Sequence, residues 1–153
     1  MKQNESSISM AQLYEIYKAH SSIQTDTRQL KKGDIYFALK GPNFNGNEFA
    51  ISALEKGAAY AIVDEPIQAP NNFKDQIIVV DDVLTSLQAL AKFHREQFTI
   101  PFIAITGSNG KTTTKELVAA VLSSHYTTYT TKGNLNNHIG AVSYTHLTLP
   151  TKA

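Results

Sequence analysis

Two rhythms of apolar and polar residues run along this chain. The first repeats every three to four positions. Leu13, Ile16 and Tyr17 share one face, with Ser9 placed to cap, so residues 10–20 are expected to form a short helix. Residues 49–56 read as a second helix, with Gly57 just past its end. A third opens after Asp81 or Asp82 and carries Val83, Leu87, Leu90, Ala91 and His94 as its stripe. A fourth carries Thr114, Leu117, Val118, Val121 and Leu122 at the same spacing. The second rhythm is the unbroken apolar run of a strand buried on both faces. It appears at residues 35–39 (IYFAL), 59–63 (AYAIV), 77–80 (IIVV) and 102–106 (FIAIT), and residues 127–131 (TTYTT) are β-prone. Turn residues fill Lys32-Gly33-Asp34 and the loop GPNFNGN, residues 41–47.

Strands alternating with helices give an α/β fold class. The helical pattern breaks at Thr99-Ile100-Pro101, and a new strand–loop–helix unit follows. The expected organisation is therefore a small mixed α/β domain over residues 1–98, then the start of a P-loop-type parallel-sheet domain over residues 99–142.

Composition narrows the classes. An apolar share of 42% and a charged share of 18% describe a chain able to bury a core rather than a disordered one. A net charge of +1 offers no electrostatic case for nucleic acid or for an anionic membrane. Without cysteine, neither disulfides nor thiolate metal sites are available. The N-terminal stretch MKQNESSISMAQLYEIYKAH lacks the pattern of a signal peptide, and no apolar run nears the ~18 residues of a membrane span, so a cytoplasmic setting is expected.

The chemistry concentrates at one corner. Between the run ending at Thr106 and the helix that follows stands Gly107-Ser108-Asn109-Gly110-Lys111-Thr112-Thr113. Glycines let several backbone N–H groups turn inward, and a helix start adds unpaired donors and a partial positive charge. Lys111 is suited to hold the β- and γ-phosphates of a nucleotide, and the Thr112 hydroxyl to ligate magnesium. The pattern is shorter than the general phosphate loop, since Ile105 stands where the outer glycine belongs. A glycine turn with Lys111 merely solvated is the alternative. The histidines at 20, 94, 125 and 138 sit without metal-ligand spacing and are assigned no metal. Asp81-Asp82 reads as a helix cap rather than a carboxylate pair.

TGSNGKTT resembles the nucleotide loop of the Mur ligases, the ATP-dependent amide-bond-forming enzymes of peptidoglycan synthesis. Residues 25–65, TDTRQLKKGDIYFALKGPNFNGNEFAISALEKGAAYAIVDE, resemble the amino-terminal, nucleotide-sugar-binding domain of that family. GNLNNHIG, residues 133–140, resembles a motif of the family member that takes D-Ala-D-Ala. The resemblance implies ATP and Mg2+ as cofactors, with UDP-N-acetylmuramoyl-tripeptide and D-Ala-D-Ala as substrates. ATP would phosphorylate the tripeptide carboxylate, and the dipeptide amine would attack the resulting acyl phosphate. It also implies roles for residues: Gly107 to Thr113 as the ATP loop, with Lys111 on the transferred phosphate and Thr112 on magnesium. Asn134, Asn136 and Asn137 would lie near the substrate phosphates or muramoyl group, or else form a turn-rich loop that caps its own backbone. Thr25, Asp26, Thr27 and Arg28 would lie on the uridine side, or else form a local Asx-turn with Arg28 as a surface cation.

Asn45-Gly46-Asn47 departs from the Asp-Gly-His common in the family, so no chemistry is assigned there. SYTHLTLPTKA, residues 143–153, does not resemble the family and is expected to be a non-native tail, a divergent terminus being the alternative. The family's acidic and histidine magnesium ligands, its carbamylated lysine and its closing domain would lie beyond residue 140. The chain alone is therefore expected to be inactive. The rival readings are another Mur-type or a folylpolyglutamate-type ligase, or a non-catalytic nucleotide-binding module.

Overall fold

The computed structural model describes residues 8–20 and 22–130. It divides into two compact units, Met1–Leu90 and Ala91–Ala153.

The first unit is built on a four-stranded parallel sheet in the order β1-β2-β5-β6, where β1 is Ile23–Gln24, β2 Ile35–Phe37, β5 Tyr60–Val63 and β6 Ile77–Val79. Pairing is in parallel register, with Ile23 opposite Ile35, Tyr36 opposite Ala61 and Ile62 opposite Ile78. The two central strands are the expected apolar runs. Ile35, Tyr36 and Phe37 are fully buried, as are Ala61, Ile62 and Val63, which is what a parallel sheet covered on both faces demands. The edge strand β6 ends on an exposed Val79.

Helix α1, Met10–His20, starts in a reciprocal capping box. The Gln12 amide donates to Ser9 Oγ, while the Ser9 amide donates to Gln12 Oε1 at 3.0 Å. Leu13, Tyr14 and Tyr17 are its buried residues; Ile16 is half-buried. Burial pushes the Tyr17 phenol up to about 12, and Tyr14 beside it adds to the shift. Helix α2, Ala50–Glu55, ends as its glycine predicts: Gly57 N–H donates to Leu54 O and Ala58 N–H to Ala53 O, the double closure of a Schellman motif. Its residues Ala50, Ala53 and Leu54 pack with Tyr36, Ala61 and Val63 on one face of the sheet. Period-two alternation sends Ile35, Phe37 and Ile62 to the other face.

Helix α3, Val83–Glu96, begins in the first unit and ends in the second. Of the two candidate caps, Asp82 is the one that acts, accepting from the Thr85 amide at 2.7 Å. All five stripe residues, Val83, Leu87, Leu90, Ala91 and His94, are buried. The loop at residues 41–47 holds more order than its composition suggests. A two-stranded antiparallel hairpin, β3 (Lys40–Gly41) with β4 (Phe44–Asn45), leads into a 3-10 turn over Gly46–Phe49.

In the second unit the end of α3 is finished by its own residues. The His94 and Phe98 rings meet edge to face at 5.0 Å, and the Arg95 guanidinium donates to Phe98 O and lies 3.4 Å above the Phe102 ring. Helix α4, Lys111–Ser123, forms as expected. The strands expected at residues 102–106 and 127–131 do not form among the described residues. A parallel strand needs a neighbour to take its N–H and C=O groups, and no described segment offers that ladder. Phe102, Ile103, Leu117 and Val121 are accordingly exposed.

Candidate functional site

Two places gather the chemistry, one in each unit. In the second unit the loop between residues 106 and 111 turns on two glycines in left-handed backbone, Gly107 at φ 147° and Gly110 at φ 74°. Gly110 is the cap of α4 and accepts from the Thr114 amide at 2.8 Å, so the chain swings from loop to helix within one residue. A side chain at φ 74° would be strained there. Lys111 is the first helical residue, and its Nζ folds back to the carbonyls of Gly107 and Ser108. Its ammonium therefore sits over the loop. Ser108, Asn109, Thr112 and Thr113 are exposed around it. The arrangement fits a phosphate: a concentrated cation, a reversed backbone and a helix start whose first amides have no intrahelical acceptor. Thr112 follows the lysine in the first turn of α4; among the described residues no three His, Asp or Glu gather to hold a metal.

In the first unit, Thr25, Asp26, Thr27 and Arg28 follow β1. Asp26 accepts from the Arg28 amide at 2.9 Å and takes the Arg28 guanidinium in a fork, Nε at 2.9 Å and Nη2 at 2.7 Å. This is the Asx-turn alternative in geometry. Arg28 and its amide hold the Asp26 carboxyl at about 2, well below the usual range. The aspartate charge in turn adds to the burial that pushes the Tyr36 phenol up to about 12.

The hairpin β3–β4 falls in the segment expected as a turn-rich loop with no chemistry assigned. A concavity of about 490 Å³ lies along it, walled by Lys40, Pro42, Phe44, Glu48 and Phe49. The Phe44 and Phe49 rings stack at 5.4 Å, and both are partly exposed. Beneath it, Lys40 Nζ bridges Asp64 and Glu65, each at 2.8 Å. Asn45 donates to Glu65 at 3.1 Å, and Asn47 donates to Asp64 at 2.8 Å. Burial pushes the Asp64 carboxyl up, but Lys40, Asn47 and the Val83 amide outweigh it and hold it below its usual value. Lys40 and Asn45 lower Glu65 likewise. These partners stand 17 to 25 positions apart, so no local motif could reveal them. The sequence signal was only the polar triplet at 45–47. Asn134, Asn136 and Asn137 lie outside the described residues, as do residues 143–153.

Known proteins bear on both places. Residues 20–95 match the Mur ligase family, catalytic domain, and residues 105–152 match the Mur ligase middle domain. The chain is 45% identical over 120 residues to the UDP-N-acetylmuramoyl-tripeptide–D-alanyl-D-alanine ligase of Synechocystis, covering 78% of this chain and 26% of that protein. It is 43% identical over 118 residues to the Bacillus subtilis ligase of the same name, covering 77% and 26%. Among solved structures, MurF from Acinetobacter baumannii aligns with a TM-score of 0.69 at 41% identity, over 78% of this chain and 26% of that one. MurF from Thermotoga maritima in complex with ADP aligns with a TM-score of 0.69 at 30% identity, over 81% and 28%. The chain thus spans about a quarter of the length of these relatives. With both family matches falling on the units that hold the glycine–lysine loop and the hairpin concavity, the chain belongs to the Mur ligase family.

Proposed function

We propose that this chain is the amino-terminal part of a ligase that joins D-Ala-D-Ala to UDP-N-acetylmuramoyl-tripeptide, with the cytoplasm as its setting. Residues 1–98 take the nucleotide sugar and residues 99–142 begin the ATP-binding domain. The observation that carries the reading is the loop: Lys111 is drawn over two left-handed glycines at the start of α4, in a chain 45% identical to a ligase of that name.

Each residue then has a physical task. Gly107 and Gly110 turn the backbone so that amides, not side chains, face the phosphates. Lys111 exchanges the carbonyls of Gly107 and Ser108 for phosphate oxygens, which it neutralises better than dipoles could. Thr112 offers one oxygen to magnesium. Magnesium-bound ATP supplies the phosphoryl group that makes the tripeptide carboxylate an electrophile. On the uridine side, Arg28 spends Nε and Nη2 on Asp26, and its exposed guanidinium keeps further donors to offer a ligand. The remaining metal ligands and the closing domain belong to the longer protein, and this chain alone binds without joining.

Titration of Mg-ATP into the chain, read by calorimetry, tests the loop. Lys111→Ala should weaken binding about tenfold or more; equal affinity in the variant would remove Lys111 from the site. In the full-length ligase, turnover with glutamate or a single amino acid instead of D-Ala-D-Ala would favour another Mur-type or a folylpolyglutamate-type ligase.

A further inference from the structure

We propose that Asp64 is a positioning residue, a buried carboxylate that latches the β3–β4 hairpin and so sets the wall of the concavity beside it. Hairpin β3–β4 pairs only Lys40 with Asn45 and Gly41 with Phe44. A ladder that short does not hold its own position in water. Both members of the closing pair are instead tied to the end of β5. Lys40 reaches Asp64 and Glu65, and Asn45 reaches Glu65. Asn47 is 3% exposed and pairs with Asp64 twice: it donates from Nδ2 to Oδ1 at 2.8 Å and accepts the Asp64 amide at 3.1 Å. Its own amide and Nδ2 also donate to Asn45 Oδ1 at 3.1 and 2.9 Å. The other Asp64 oxygen accepts the Val83 amide, the first of α3, at 3.3 Å.

One side chain, itself 6% exposed, thereby joins the hairpin, the strand end and a helix start. The Asn-Gly-Asn triplet has a role in this arrangement: its two carboxamides each donate and accept, which neutral side chains can do at once. The hairpin carries Phe44, whose stack with Phe49 walls the concavity. Holding Lys40 and Asn45 in place holds that wall. As a contribution to substrate capture, the inference rests on the proposed nucleotide-sugar role of this unit.

The test compares the chain with its Asp64→Ala variant in two measurements. Amide hydrogen exchange should quicken about tenfold or more across residues 40–49 while the amides of β2 and β5 keep their protection. Affinity for UDP-N-acetylmuramoyl-tripeptide, by calorimetry, should fall about tenfold. Unchanged exchange at residues 40–49, or an equal loss throughout the sheet, overturns the latch. Faster hairpin exchange with undiminished affinity overturns the positioning role. If Asp64→Ala does not fold, Lys40→Gln removes one arm from a half-exposed side chain and is read in the same way. If the unaltered chain binds no nucleotide sugar, the functional reading fails, and the exchange comparison still decides the latch.

Discussion

Gly46, the first residue of the 3-10 turn that follows the hairpin, has no room for a side chain. A Cβ built there would lie 2.5 Å from Leu39 O and 2.6 Å from Ala38 C, backbone atoms that cannot step aside. The approach is held from both sides, since the Gly46 amide donates to Leu39 O at 2.9 Å and its carbonyl accepts the buried Tyr36 hydroxyl at 3.0 Å. Gly46→Ala should therefore destabilise the first unit by about 1–3 kcal/mol, read as a lower midpoint in urea. The Asp26–Arg28 pair makes a prediction in pH. Its folded carboxyl value of about 2 lies below the ordinary 3.8, so the interaction is fully present above 3.8 and is lost as pH falls through about 2. A carbon NMR titration should place the Asp26 midpoint near 2, and Arg28→Ala should return it toward 3.8. A midpoint that does not move would show that Arg28 is not the cause.

Helices in this chain are legible because each states its period and its ends. The α3 stripe was read in full, from Val83 to His94, and the structure buries all five residues. What the period could not decide was which of two adjacent aspartates caps the helix. Geometry selects Asp82, because only its carboxylate is shown reaching the Thr85 amide. Asp82→Ala should cost about 1 kcal/mol, with Asp82→Asn close to neutral, by thermal melting. Equal losses from both would point to charge rather than capping. Strands were harder to read. The central runs β2 and β5 appeared as expected, yet β3 and β4 span two residues each and leave no period to detect. Residues 102–106 have the composition of a strand and do not form one, since strand structure depends on a partner as much as on side chains.

As a molecule, the chain is unevenly finished. The first unit has a parallel sheet with both faces used, whereas the described part of the second leaves Leu117 63% and Val121 71% exposed on α4. Such a stripe favours self-association. Replacing Leu117 and Val121 together by Gln should raise the solubility limit and lower binding of a hydrophobic dye, while leaving the melting of the first unit in place. A dye signal that persists in the double variant would locate the sticky surface elsewhere. The described helices include none long and apolar enough to cross a membrane.

The sequence by itself determined the α/β alternation, the helix stripes, the central strands and the loop from Gly107 to Thr113, because each is written within one or two turns of chain. It also carried the family resemblance, through short motifs whose order survives without any folding. Tertiary structure decided what depends on distant partners. It left residues 102–106 without a ladder and brought Lys40, Asn45 and Asn47 to Asp64 and Glu65. The hydrogen bonds at that last site cross about twenty positions of chain. Only the packing of a hairpin against the end of a strand could bring them within reach.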